Sequence, residues 1–145
     1  MPEKHKRQRF PMLIGTLGRV LLIPFGVTRQ RAFVEIREDE LHVRFGPVFD
    51  HRFPLSEIEE AVPAVWPFWA GIGPRANFGG AVGMVGAYAN TVMMRFKTPQ
   101  EVRLFVIPVS CQRLYVSLED PEAFMAALVK AQEQPLRPLQ PVRVA

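Results

Sequence analysis

A mostly-β domain closed by one C-terminal amphipathic helix is the fold class this sequence predicts, and three observations predict it. Residues 32–55 alternate apolar and polar side chains through two turns, and residues 91–118 do so again. Residues 121–131 then switch to helical spacing, with Phe124, Ala127, Leu128 and Ala131 at i, i+3, i+4 and i+7. At 145 residues the chain is long enough for one domain with a substantial core.

The helix has the clearest start. Leu114, Val116 and Leu118 alternate with Tyr115 and Ser117 as a strand, and Asp120 follows as N-cap, with Pro121 at N1 and Glu122 in the first turn. Its single apolar stripe has to be buried, and the strands upstream provide the sheet to bury it.

In the first meander, Ala32, Val34 and Ile36 alternate with Phe33, Glu35 and Arg37, and Leu41, Val43 and Phe45 alternate with His42 and Arg44. A turn at Glu38-Asp39 sets Ile36 opposite Leu41, Val34 opposite Val43 and Ala32 opposite Phe45. The other face then pairs Arg37 with Glu40 and Glu35 with His42, so both faces agree on one register. For the next connection, a two-residue Gly46-Pro47 turn would set His42 opposite His51 as the start of a metal site. It would also put Asp50 and Arg52 on the apolar face. A three-residue loop, 46–48, pairs Phe45 with Phe49, Leu41 with Phe53 and Arg44 with Asp50, and places His51 inward opposite Val43. This register separates the histidines, leaves His42 exposed and predicts no metal site. Residues 54–60 fit either a Ser56/Glu59 capping box or a further strand with Leu55 and Ile58 inward.

Residues 61–90 are predicted to be irregular, because Pro63, Pro67 and Pro74 oppose a central strand. Trp66, Phe68 and Trp69 lie here and form the candidate interaction surface, since Trp is enriched at binding hot spots. The competing reading is that they cover a sheet or close the end of a barrel. Gly79, Gly80, Gly83 and Gly86 follow no phosphate-binding pattern and point to tight turns or close strand approach.

In the second meander, Val92, Met94 and Phe96 alternate with Met93 and Arg95. A turn at Lys97-Thr98-Pro99 is expected to set Arg95 across from Glu101. Val102, Leu104 and Val106 form the next strand, and residues 107–113, including Cys111, form a loop.

Three parts are expected in the chain: residues 1–18 as a basic and then apolar tail, 19–132 as the folded domain, and 133–145 as a proline-rich tail. Much of the net charge of +4 comes from Lys4, Lys6, Arg7 and Arg9. The apolar run 10–27 falls short of a transmembrane helix, because Arg19 sits in its middle and Gly15, Gly18, Pro24 and Gly26 interrupt it. It also lacks a signal-peptide cleavage pattern. The expectation is a covering segment with a first strand over residues 19–25.

The single cysteine excludes an internal disulfide and a multi-cysteine metal centre, and suits a reducing, cytoplasmic setting. Histidines occur only at positions 5, 42 and 51, without a nucleophile–base motif, so neither an enzyme nor a cofactor is expected. Basic residues outside the tail are dispersed, which argues against nucleic acid as a partner.

LLIPFGVTRQRAFVEIREDELHVRFGPVFDHRFPLSEI, the GIG at 71–73, NTVMMRF and LYVSLEDPEAFMAALV resemble an uncharacterised family of bacterial, actinobacterial-type pleckstrin-homology-like domains, over roughly residues 20–132. The resemblance implies a barrel of two packed antiparallel sheets capped by the helix. Phosphoinositide-binding members of the wider class use basic residues in the loop between their first strands. The matching turn here is Glu38-Asp39-Glu40, so the resemblance carries over no lipid-binding residues. The function it implies is a non-catalytic binding or scaffold module, with an unknown protein partner or self-association. Two alternatives stand beside it. One is a peripheral membrane protein using the basic N-terminus and the apolar segment 12–25, with weak membrane-surface contact. The other is a small enzyme with a site in the barrel cavity.

Overall fold

The structure is a computed structural model and describes residues 7–66, 71–76 and 79–133. Its strands are β1 (Arg7–Pro11), β2 (Ala32–Arg37), β3 (Glu40–Phe45), β4 (Phe49–Pro54), β5 (Ile58–Ala64), β6 (Gly73–Ala76), β7 (Ala81–Val85), β8 (Thr91–Leu104) and β9 (Ile107–Ser117). Helix α1 spans Thr16–Leu22 and helix α2 spans Pro121–Glu133. The strands form two sheets, ordered β1-β2-β3-β4 and β5-β8-β9-β7-β6, and among the described residues neither closes on itself. The fold is therefore mostly β with a C-terminal helix, as the sequence predicts.

The first meander has the register that the alternation predicts. Ala32 pairs with Phe45, Val34 with Val43, Ile36 with Leu41, Glu35 with His42 and Arg37 with Glu40. Leu41 pairs with Phe53, Val43 with His51 and Arg44 with Asp50, which is the three-residue-loop register. Apolar side chains from both sheets meet in one core. Phe53 of β4 stacks on Phe96 of β8 at 4.6 Å between ring centroids, which ties the two sheets together. Asp120 caps α2 by accepting the Ala123 N–H at 3.2 Å. Phe124 and Leu128 are fully buried, and Gln132 Nε2 donates to the carbonyls of Leu55 and Ile58.

The structure differs from expectation in four places. Residues 7–18, expected to be tail, contain β1 and the start of α1, and β1 pairs along β2 from Arg7↔Arg37 to Pro11↔Phe33. Residues 19–25, expected as a strand, lie in α1 and a following turn of 3-10 helix, Ile23–Phe25. The expected turn at 97–99 and the loop at 107–113 are both strand: β8 and β9 form one long hairpin that turns at Phe105-Val106. Arg95 accordingly pairs with Arg113, and Glu101 with Ser110. A large bulge between Arg95 and Gln100 absorbs Lys97-Thr98-Pro99, which is where a residue without an N–H fits a ladder. Gln112 Nε2 donates to the Phe96 carbonyl there at 2.9 Å.

The fourth difference is direction. The sequence predicts antiparallel sheets, but β7 runs parallel to β9. The β6–β7 hairpin follows β5 in the chain but lies at the far side of the sheet, because β8 and β9 insert between them. This also answers the proline argument, since Pro63 in β5 and Pro74 in β6 both lie on edge strands, where a missing donor is tolerated. Residues 54–60 follow the strand reading: a 3-10 turn at Leu55–Glu57, with Pro54 as N-cap and no Ser56/Glu59 capping box, leads into β5, with Leu55 and Ile58 buried.

Candidate functional site

Of the three aromatic residues singled out by sequence, Trp66 is described, while Phe68 and Trp69 lie outside the described residues. Trp66 lies against the outer face of the five-stranded sheet. Its ring is 5.3 Å from that of Tyr115 in β9, and its Nε1–H donates to the Gly71 carbonyl at 2.7 Å. A Cβ at Gly83 would come within 2.5 Å of the indole, so the sheet makes room for it with a glycine. The Trp66 ring therefore covers the outer face of the sheet at Gly83 and Tyr115.

The histidines separate as the register requires, but His42 is not exposed. It is 8% accessible, and Glu35 beside it is 4% accessible. The cause is β1, which widens the sheet. Arg9 lies over the Phe33 ring at 3.9 Å, and Phe33 meets His42 edge-on at 5.4 Å. His42 Nε2–H donates to Asp50 Oδ1 at 2.5 Å, and Nδ1 stands 4.0 Å from Glu35 Oε1 without a hydrogen bond among the described residues. Arg9 and Arg37 also approach Glu35, at 3.5 and 4.0 Å. The cluster ties β1, β2, β3 and β4 together across one sheet face. Among the described residues no group of three or more His, Cys, Asp or Glu has the geometry to hold a metal ion.

His51 sits on the inner side, with its ring 4.6 Å from Phe53 and 6.3 Å from Phe49. Burial holds its pKa below the ordinary 6.5, with the Asp50 charge pulling weakly the other way. The unfolded chain therefore binds this proton more readily than the folded one. The His51 contribution is intact above about pH 6.5 and is lost as pH falls toward the lowered folded value. His51→Phe is expected to flatten the fall in melting temperature between about pH 7.5 and pH 5.5. An unchanged slope would place the acid sensitivity elsewhere. Cys111 is buried in β9 and not in a loop, and burial pushes its thiol up to about 12, which leaves it unreactive at neutral pH.

The apolar segment 12–25 proves to be one part of an apolar edge built from three segments, and the other two, loop 46–48 and the β8–β9 tip, are what sequence reasoning missed. On α1, Leu17, Val20 and Leu21 point outward, with Val20 67% accessible, and Ile23 follows them; Met12 and Leu22 of the same apolar run are buried. Gly26, at φ 79°, turns the chain against Pro47, whose ring a Cβ at Gly26 would meet at 3.1 Å. The Val48 carbonyl accepts the Phe105 N–H at 2.8 Å, and this joins the loop 46–48 to the β8–β9 tip. At that tip Phe105, Val106 and Ile107 are exposed, with Val106 at 78%. Phe105 holds φ 57°, a left-handed conformation that an aromatic residue adopts only at a cost. Such strain concentrates at functional surfaces. A cavity of about 330 Å³ lies beneath α1, lined by Leu13, Ile14, Arg19, Ile23, Val27, Thr28 and Glu119.

Arginines stand beside each segment. Arg19 is on α1, Arg103 precedes the tip, Arg44 opens the loop 46–48, and the Arg31 backbone lies against Gly46. The Arg31 carbonyl accepts the Gly46 N–H at 2.7 Å, and Arg44 Nε donates to the Gly46 carbonyl at 3.3 Å. Among the described residues no helix is long and apolar enough to cross a membrane. The fold and this edge define the chain as a two-sheet, mostly-β protein with one C-terminal helix and an apolar, arginine-bordered rim. No family model, curated protein or solved structure matches it.

Proposed function

We propose that the chain is a non-catalytic binding or scaffold module of pleckstrin-homology-like plan, and that it engages its partner through the edge formed by α1, loop 46–48 and the β8–β9 tip. The order of a four-stranded sheet, a second sheet and a C-terminal helix supports the plan. The observation that carries the binding reading is the edge itself. Seven large apolar side chains, Leu17, Val20, Leu21, Ile23, Phe105, Val106 and Ile107, are each about half exposed or more, on segments that touch one another. Exposed apolar side chains gathered on adjoining segments mark a surface with a use.

The test compares Val20→Ser/Val106→Ser with Trp66→Ala in the full chain. Both edge positions are exposed, so the double variant is expected to melt within about 0.5 kcal/mol of the parent. It is expected to lose self-association in sedimentation, or capture of host partners, while Trp66→Ala retains them. Association that survives the double variant and disappears in Trp66→Ala would move the working surface to the Trp66 loop.

A further inference from the structure

We infer that the partner of this edge is an anionic lipid surface, with the β8–β9 tip and α1 entering the interface and the arginines resting on headgroup phosphates. The inference rests on the binding reading above and names the partner. Charge selects it. The three touching segments, 13–31, 44–48 and 102–108, contain five arginines, Arg19, Arg29, Arg31, Arg44 and Arg103, and no Asp or Glu. Glu119 in the cavity wall, Glu101 on β8 and Asp50, which pairs across the ladder with Arg44 and accepts from His42, are acids that flank them. Arg19, Arg31 and Arg103 are exposed, so their guanidinium groups face the solvent side of the edge. An apolar tip bordered by guanidinium groups on long apolar stems matches the layering of a bilayer interface, where apolar side chains enter the acyl boundary and arginines reach back to the headgroups.

The described chain reaches Arg7 on the side of the first sheet away from this edge. Arg7 pairs with Arg37 at the far end of β2, whereas α1 begins at Thr16, nine residues and at most about 30 Å of extended chain later at 3.3 Å per residue. The edge therefore makes a prediction that a basic-tail mechanism does not: binding should depend on Val106 and Arg103 and should survive removal of residues 1–6.

The experiment is flotation of the full chain with vesicles of phosphatidylcholine containing phosphatidylglycerol as roughly a third of the lipid, against phosphatidylcholine alone. The chain is expected to float with the anionic vesicles only, and less as salt rises. Val20→Ser/Val106→Ser is expected to abolish flotation with melting unchanged, and Arg103→Gln to weaken partitioning about fivefold. The chain lacking residues 1–6 is expected to float as the parent does. Absence of flotation, or flotation that persists in the double variant, overturns the inference. Sedimentation of the same samples separates the two levels: self-association lost in the double variant keeps the edge as a binding surface with a second copy as its partner, whereas association indifferent to it removes the binding reading as well.

Discussion

Phe124→Ala is expected to lower the stability of the fold by about 3–5 kcal/mol, the range for emptying a buried phenylalanine site that cannot collapse. The site meets that condition. Phe124 is fully buried, and its ring stands edge-on to Phe10 at 5.4 Å, so the side chain joins α2 to the strand that opens the first sheet. The backbone around it is held at both ends. Asp120 caps the first turn, and Gln132 near the last turn donates to the Leu55 and Ile58 carbonyls at the start of β5. With the helix pinned, the cavity cannot close by sliding. For a chain of this length the loss corresponds to a melting shift on the order of 10 °C. Denaturant unfolding of parent and variant checks it, and Phe124→Leu, which keeps most of the volume, is expected to recover more than half of the difference. A cost below about 1 kcal/mol would mean that the helix is not a structural element of the core.

The sequence makes this helix and the first meander legible for the same reason: several independent signals agree. In the helix, the cap, the proline at N1 and the apolar spacing name the same first residue. In β2–β4, the inward pairs and the outward charge pairs both demand one register. The second meander shows what happens when signals conflict. Lys97-Thr98-Pro99 has turn chemistry but is held as a bulge inside β8, and the true turn at Phe105-Val106 has none. Local turn preference loses because pairing on to Leu104↔Ile107 adds five residue pairs to the ladder, from Gln100↔Cys111 onward, and brings Val102 and Cys111 into the buried set. β1 is hidden because a strand that opens Arg-Gln-Arg looks like a basic tail. Its partner charge, Glu35, lies 26 residues away, beyond any local pattern.

The candidate site is less legible still. Trp66 stands out by residue type, yet its ring is occupied with Tyr115 and Gly83. The apolar edge is dispersed over three segments that only the tertiary fold joins. The signal that pointed toward it was the apolar run 10–27, which is too interrupted to span a membrane and more apolar than a covering segment needs. Its exposed half is the α1 face, while Met12, Leu22 and Val27 serve the core.

The glycine at position 18 decides whether that face is presented at all, and Gly18→Val is the second substitution expected to have a large effect. The Gly18 position faces the Gly86 backbone so closely that an added Cβ would lie 2.2 Å from the Gly86 carbonyl oxygen. The obstacle is backbone, with no flexible side chain to move aside. Gly86 is itself fixed. Its N–H donates to Ser117 Oγ at 2.9 Å, its carbonyl accepts the Gly15 N–H at 3.0 Å, and a Cβ there would meet the Leu13 carbonyl at 2.7 Å. Ser117 Oγ in turn donates to the Leu13 carbonyl, and its own carbonyl accepts the Leu13 N–H, so the start of α1 is stitched to the ends of β7 and β9. α1 must therefore move away from the sheet to admit a larger residue. Overpacking of this kind costs about 1–3 kcal/mol. The displacement carries Val20 and Leu21 away from their position beside Ile23 and the Gly26–Pro47 contact. Gly18→Val is thus expected to lower stability and to disrupt edge-dependent association together, whereas Phe124→Ala, measured well below its melting temperature, lowers stability and leaves the edge in place. Gly15→Ala is the control within the same helix start, because its Cβ would meet Ala87 at an ordinary 3.6 Å, and it is expected to change stability by no more than about 0.5 kcal/mol. If Gly18→Val melts like the parent, the contact between α1 and Gly86 is looser than this packing requires. If it is destabilised but retains full association, α1 is an anchor for the fold and the β8–β9 tip alone carries the edge.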